Sequence, residues 1–207
     1  FRPMGEFMKA AKIVMAAVLL AACVMPLAGA RAAVFTGTFS GANEAPGNGS
    51  SGTGEAVVTV DELAQTMLVE IDFSGLTGVT TVAHLHCCTA PGANAAVAVA
   101  PGTLPGFPAG VTSGSYALLF DLTQDATYTA SFLASAGGTA ADASALLIAS
   151  LASGLVYANI HTTEFPGGEI RANLSPDSAV PLPAAVWLFL AGGLAVSGAA
   201  RRRGRAR

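Results

Sequence analysis

The chain has 207 residues, which is enough for one domain or two small ones, and its charges are strongly segregated. Residues 33–180 contain twelve acidic residues but a single basic one, Arg171, so the formal charge of −11 in this segment is hidden by the net charge of −3 for the whole chain. Such an acidic domain excludes nucleic acid as a partner, because nucleic-acid binding depends on Lys and Arg neutralising phosphates, and it favours solubility or the binding of cations.

Residues 1–32 have the pattern of a secretory signal peptide with an over-extended start. Two lysines precede an uncharged apolar run at 13–22, and Ala30-Arg31-Ala32 fits the A-x-A site cut by signal peptidase. A second interpretation stays open, because Leu20-Ala21-Ala22-Cys23 resembles a lipobox, in which the cysteine is lipidated. Either cleavage exports the following domain to an oxidising compartment.

Residues 33–175 are dominated by hydrophobic alternation with a period of two, which is typical of half-buried strands. We predict strands at 34–39, 55–60, 66–73, 79–86, 116–122, 128–133, 155–161 and 169–174. The segment 139–154 is rich in Ala and Leu and ends in Gly154, which predicts one short helix with that glycine as its C-cap. Together these elements predict a mainly β fold, a Greek-key antiparallel β-sandwich with one short helix.

The histidines suggest a metal site. His84 and His86 lie two residues apart on a predicted strand and therefore project from the same face. If the strand that ends at His161 is their neighbour, three imidazoles could converge, with Glu169 or Glu164 as a fourth ligand. Three neutral nitrogens and a carboxylate suit Zn²⁺ or Cu²⁺.

Two other interpretations limit this hypothesis. The chain has three histidines in all, so a dinuclear copper–zinc site of the superoxide dismutase type is excluded. Each histidine could instead hydrogen-bond locally and fix a strand end, because buried polar groups need partners. No G-x-S-x-G or comparable set of nucleophile and base is recognisable, so the sequence predicts no enzyme activity.

Cys87 and Cys88 are the two cysteines that remain after removal of the signal peptide. In an exported domain they could form a vicinal disulfide, act as metal thiolates or bridge to another molecule. We favour the vicinal disulfide, as a rigid end to the strand.

Glu169 and Arg171 also lie two residues apart on a predicted strand. Because Arg171 is the single cation of the acidic domain, we predict a structural ion pair between them.

Residues 176–207 are predicted to form an anchoring tail. Proline-containing sequence precedes seventeen uncharged residues at 184–200, and an arginine cluster beginning at Arg201, Arg202 and Arg203 follows. This order predicts a short transmembrane helix with a cytoplasmic basic stop.

The tail begins with Val180-Pro181-Leu182-Pro183, and the apolar run and the arginines follow. This order resembles the PEP-CTERM sorting signal of Gram-negative bacteria that produce exopolysaccharide, which has V-P-E-P at the start, with Leu182 here in place of the glutamate. The resemblance implies a precursor anchored transiently in the inner membrane, cleavage by an exosortase, and transfer to the cell surface or extracellular matrix.

The exported domain contains four short motifs in succession: FSGANEAP at 39–46, AHLH at 83–86, LVYANIHT at 155–162 and PGGEIR at 166–171. In this order they resemble the CHRD family. The resemblance implies a β-sandwich and no particular reaction. We therefore predict a non-enzymatic module of the cell surface or biofilm matrix, in contact with polysaccharide or matrix proteins, and as an alternative a mononuclear Zn or Cu protein that uses the three histidines.

Overall fold

The computed structural model describes residues 32–177, which contain eight strands and two short helices. The strands are β1 Ala33–Ser40, β2 Thr53–Asp61, β3 Thr66–Ser74, β4 Thr80–Cys87, β5 Ala96–Val99, β6 Gly114–Asp121, β7 Val156–Thr162 and β8 Ile170–Pro176. The helices are α1 Ala130–Ala136 and α2 Ala140–Ala152, and single 3-10 turns lie at Gly41–Asn43 and Asp125–Thr127.

All eight strands belong to one curled antiparallel sheet with the order β5-β4-β7-β8-β1-β2-β3-β6. The prediction of a mainly β, antiparallel domain is therefore confirmed, and every predicted strand is present except the one at 128–133. Because hydrogen bonding runs without a break from β5 to β6, the two-sheet sandwich stays a prediction.

The predicted strand at 128–133 is wrong, because most of it forms α1. Thr129 caps this helix, and its hydroxyl accepts a hydrogen bond from the backbone N–H of Phe132 at 3.3 Å. Such a capping bond satisfies a free N–H of the first helical turn, so it favours the start of a helix over the strand suggested by alternation. The domain consequently has two short helices rather than one.

The predicted helix at 139–154 is present as α2. Thr139 caps its first turn through the N–H of Asp142. The helix ends one residue earlier than expected, because Ser153 is the C-cap and Gly154 follows it with a φ of 69°. The short strand β5, which lies beside β4, was not predicted.

The core lies on one face of the sheet and is closed by the helices. Alternate residues of every long strand are buried there, and α2 adds residues with no exposed surface; examples are Phe39, Val58, Val69, Ile71, Leu85, Ala158, Ile160, Ala172, Leu147 and Leu151. The opposite face of β4, β7 and β8 carries polar and aromatic side chains, several of which are also buried. These strands therefore have an apolar face toward the core and a polar face beneath loops.

Several sequence predictions lie outside the described residues: the signal segment with Cys23, the transmembrane helix at 184–200 and the sorting motif at 180–183 with its arginines. Within residues 32–177, no single helix is long and apolar enough to cross a membrane. Only α1 and α2 taken together reach that length and hydropathy, and they are bent by 85° at the break between them.

Candidate metal centre

The pairing of β4 with β7 brings the three histidines together on the polar face. His84 lies opposite Asn159 and His86 lies opposite Tyr157, while His161 follows Asn159 by two residues on the same face of β7. One candidate ligand nitrogen from each of the three histidines lies within 4.8 Å of the other two. The convergence predicted from the sequence is therefore present in the structure.

Each imidazole has one nitrogen directed at a backbone carbonyl. His84 Nε2 lies 3.0 Å from Gly102 O, His86 Nδ1 lies 2.9 Å from Ala95 O, and His161 Nδ1 lies 2.8 Å from Pro166 O. A carbonyl oxygen only accepts, so each of these nitrogens must carry a proton and donate it. The other ring nitrogens, His84 Nδ1, His86 Nε2 and His161 Nε2, then carry lone pairs that face the middle of the cluster.

The histidines are neutral at physiological pH. Burial lowers the pKa of His86 to about 4, and burial likewise lowers the pKa values of His84 and His161. A neutral imidazole has one N–H, and in each ring it donates to the backbone carbonyl. No N–H is then left to form a hydrogen bond between His84 Nδ1 and His161 Nε2, although these two atoms are only 3.1 Å apart.

Asn159 lies at the centre of the same group. Its side-chain oxygen is 3.1 Å from His86 Nε2 and 3.1 Å from His161 Nε2, and the residue is 2% exposed. Four electron-pair donors thus converge on one small space. An arrangement of this kind is stabilised by a cation.

Glu169 is not part of the cluster, so the prediction of this residue as a fourth ligand is wrong. Its Oε1 accepts hydrogen bonds from Ser50 Oγ and the Thr77 N–H, and its Oε2 accepts from the Gly78 N–H and Thr162 Oγ1. Burial raises the pKa of Glu169, but these hydrogen bonds together lower it below its ordinary value. Its carboxylate joins two loops to the end of β7, and both of its oxygens are occupied by hydrogen bonds.

The other suggested fourth ligand, Glu164, is exposed and lies outside the set of converging groups. It lines a shallow cavity together with residues 44–48 and 165–168. Sequence spacing could not distinguish the two glutamates, and neither belongs to the converging group.

The predicted Glu169–Arg171 ion pair is also wrong, because Arg171 pairs with Glu44. Arg171 Nη2 lies 3.0 Å from Glu44 Oε2, and Nε donates to the same oxygen at 3.1 Å. Glu169 precedes β8, which begins at Ile170, so the rule that places strand residues i and i+2 on the same face does not apply to it. The two side chains consequently serve different loops.

Arg171 connects the histidine cluster to the loop between β4 and β5. Its guanidinium donates to Ala93 O and Asn94 Oδ1, and its Cζ lies 3.9 Å from the centre of the Tyr157 ring. The other face of Tyr157 stacks on His86, with 4.6 Å between ring centres and an angle of 3° between the planes. Arg171 therefore holds both the aromatic support of His86 and the loop that supplies its carbonyl partner.

Cys87 and Cys88 are joined by a vicinal disulfide. Their sulfur atoms are bonded to each other and are not thiolate ligands in this state. Ser150 Oγ on α2 lies 3.1 Å from Cys88 Sγ, which places the disulfide between the end of β4 and the helix. The bridge lies next to His86 in sequence but outside the cluster of ligand atoms.

Sequence reasoning missed the roles of Asn159 and Glu44. The period-two pattern does place Tyr157, Asn159 and His161 on one face of β7, and this was the available signal for Asn159. Glu44 and Arg171 are 127 residues apart, so nothing local in the sequence indicates their pairing.

The fold and the site define a class: an antiparallel β-sheet domain that carries a partly buried three-histidine cluster on the polar face of its sheet. The family model for the CHRD domain matches residues 35–174. The chain belongs to the CHRD domain family, which confirms the resemblance found in the sequence. No curated protein and no solved structure matches the chain.

Proposed function

We propose that this CHRD domain is a non-catalytic module that binds one transition-metal ion, Zn²⁺ or Cu²⁺, through His84 Nδ1, His86 Nε2 and His161 Nε2. The observation that carries the proposal is the convergence of three imidazole lone pairs whose protons are all committed to carbonyl oxygens. Neutral imidazole nitrogen is a preferred ligand of both ions.

The surroundings of the histidines support a binding role. In metal sites the second ring nitrogen of a histidine ligand commonly donates to a carbonyl or carboxylate, which fixes both the tautomer and the ring orientation. All three histidines of this cluster have such a carbonyl partner. His86 is 8% exposed, whereas the other two are partly exposed, so an ion could enter from their side.

The non-catalytic part of the proposal is supported by membership of the CHRD family and by the acidic character of the domain. A formal charge of −11 over residues 33–180 attracts cations to the surface and raises their local concentration. Attraction of this kind favours capture of an ion and implies no reaction.

Elemental analysis of the full chain tests the metal proposal. After loading with Zn²⁺ or Cu²⁺ and desalting, the wild-type protein should retain about one equivalent, and His84→Ala and His161→Ala should each lose it. Glu164→Gln is the matched control, because it removes an acidic side chain near the site that is not a ligand, and it should retain the metal. Retention by the wild type of less than about 0.1 equivalent under these conditions would end the proposal.

We also propose, from the terminal segments, that the protein is exported, anchored transiently in the inner membrane and transferred to the cell surface or extracellular matrix. The supporting features are the apolar run with its A-x-A site and the proline-bounded apolar tail that ends in arginines. In this setting the module would contact polysaccharide or other matrix proteins.

A fusion that carries residues 180–207 behind an exported reporter tests the sorting proposal. In a host with an exosortase, the tail should be removed, as seen by mass spectrometry of the reporter's C-terminus. A variant with Pro181 and Pro183 both replaced by Ala serves as the control and should keep its tail. An intact tail on the unaltered fusion would contradict the proposal.

A further inference from the structure

We infer that the side-chain oxygen of Asn159 is the fourth ligand of the proposed metal site, so that protein atoms alone complete a tetrahedral N₃O coordination shell. The inference rests on the proposed function. It goes further by identifying a fourth ligand residue, by predicting a closed site and by favouring one of the two ions.

The distances support this assignment. Asn159 Oδ1 lies 3.1 Å from His86 Nε2 and 3.1 Å from His161 Nε2, and the latter lies 3.1 Å from His84 Nδ1. Four ligands at about 2.0–2.1 Å from a tetrahedral Zn²⁺ are separated by about 3.3 Å. Three edges of the required tetrahedron are therefore already close to their final length.

The remaining separations would be shortened by small shifts of the two partly exposed rings that keep their carbonyl hydrogen bonds. The candidate nitrogens of the three histidines all lie within 4.8 Å of one another, and His84 and His161 are the less buried members of the set. His86 and Asn159 are the buried members, with 8% and 2% exposure. The buried pair thus forms a fixed half of the site, and the other two histidines close on the ion.

The direction of the Asn159 amide follows from the charge on Glu44. Glu44 pairs with Arg171, which favours the ionised form of its carboxylate, and an ionised carboxylate can only accept hydrogen bonds. The NH₂ end of the amide therefore faces Glu44, and its oxygen faces the histidines.

Gly168 makes this arrangement possible. A Cβ at this position would lie 2.6 Å from Glu44 Oε1 and 2.9 Å from Asn159 Nδ2, so any side chain would push the two groups apart. Glu44 Oε1 is buried and makes no hydrogen bond of ordinary geometry within residues 32–177, which leaves the amide nitrogen as the polar group beside it. Glu44 is a positioning residue that acts on the ion through Asn159.

A closed N₃O shell has two chemical consequences. Sites whose four positions are all filled by protein are typical of bound structural ions, whereas catalytic sites keep one position for water or substrate. Tetrahedral geometry also suits Zn²⁺ and works against the tetragonal preference of Cu²⁺. The site should therefore hold Zn²⁺ without binding small anions.

Co²⁺ is a spectroscopic probe for this geometry, and the experiment uses the full chain. The wild-type Co²⁺ protein should show the intense visible bands of a four-coordinate ion, and excess azide should leave them unchanged. Asn159→Ala should bind Zn²⁺ at least about tenfold more weakly, and its Co²⁺ spectrum should respond to azide, which enters the vacated position. Asn173→Ala is the matched control: it removes an amide from β8, opposite Tyr157 and outside the cluster, and should behave as the wild type.

The outcomes separate the two proposals. If the wild type binds Co²⁺ but azide changes its spectrum, or if folded Asn159→Ala keeps the wild-type Zn²⁺ affinity, the fourth ligand is not Asn159 and the three-histidine site still stands. If the wild type binds no metal, both proposals fail. Should Asn159→Ala not fold, the azide titration of the wild type still decides whether the site is closed.

Discussion

Replacing Arg171 with Met should destabilise the domain by about 3–5 kcal/mol, because the substitution removes the charge that balances a buried carboxylate. The side chains of Arg171 and Glu44 are only 1% and 5% exposed, and they meet at 3.0 Å. Met fills much of the same volume, so the loss reports the charge and the hydrogen bonds rather than a cavity. The lost contacts include those to Ala93 O and Asn94 Oδ1.

A double-mutant cycle isolates the cost of the unpaired carboxylate. Adding Glu44→Gln to Arg171→Met removes the unpaired charge, so the double variant should be more stable than Arg171→Met alone, by about 1–3 kcal/mol. Urea unfolding followed by far-ultraviolet circular dichroism gives the free energies. Glu55→Gln, an exposed charge change on β2, is the control and should stay within about 0.5 kcal/mol of the wild type.

The pH dependence of this effect has a definite sign. Without Arg171, the pKa of buried Glu44 should rise further above its ordinary value, so the folded variant should take up a proton before its unfolded chain does. The stability difference between wild type and Arg171→Met should therefore shrink as the pH falls from 7 to 5. A difference that is below about 1 kcal/mol at pH 7, or that grows on acidification, would refute the role given to this ion pair.

Three further predictions concern single residues. In the metal-free protein, the titration of His86 alone should lower the free energy of unfolding by about 3 kcal/mol as the pH falls from 6.5 to about 4. The reason is that burial lowers the pKa of His86 to about 4 in the folded state, so the unfolded chain binds the proton first. An equal dependence of stability on pH in urea titrations of His86→Gln would contradict this. Gly168→Ala should lower the stability by about 2 kcal/mol or more, because an added Cβ would clash with Glu44 and because the φ of 127° at this position is strained for alanine. Gly167→Ala, which has open space around its Cβ, should be nearly neutral in thermal unfolding. Thr139→Ala should cost about 1 kcal/mol through loss of the α2 cap, and an unchanged urea midpoint would show that the cap contributes nothing.

The strands could be predicted from the sequence because the sheet is buried on one face. β3 shows this most clearly: Met67, Val69, Ile71 and Phe73 are all buried, and the residues between them are more exposed. The segment at 128–133 has a similar alternation but forms a helix, because the Thr129 hydroxyl supplies a cap that periodicity does not measure. β5 has only four residues, AVAV, with no polar residue to show an alternation, and its pairing with β4 decides its conformation.

The candidate site was predictable in parts. The H-x-H spacing fixes His84 and His86 on one face of β4, and the same rule fixes Asn159 and His161 on one face of β7. The choice of Glu169 as a ligand failed because the strand rule was extended past the first paired residue of β8. Its carboxylate accepts hydrogen bonds from Ser50 in one loop, Thr77 and Gly78 in a second, and Thr162 at the end of β7.

The sequence by itself determined which side chains share a face, where the acidic charge lies and to which family the chain belongs. These are local properties, because the alternation of a strand and the order of short motifs depend on neighbouring residues. The tertiary structure alone decided that His161 meets His84, that Arg171 pairs with Glu44 and that Asn159 joins the histidines. Those contacts depend on which strands become neighbours: the alternation within a strand fixes the face that each side chain occupies, but it does not identify the partner strand, which long-range backbone pairing sets.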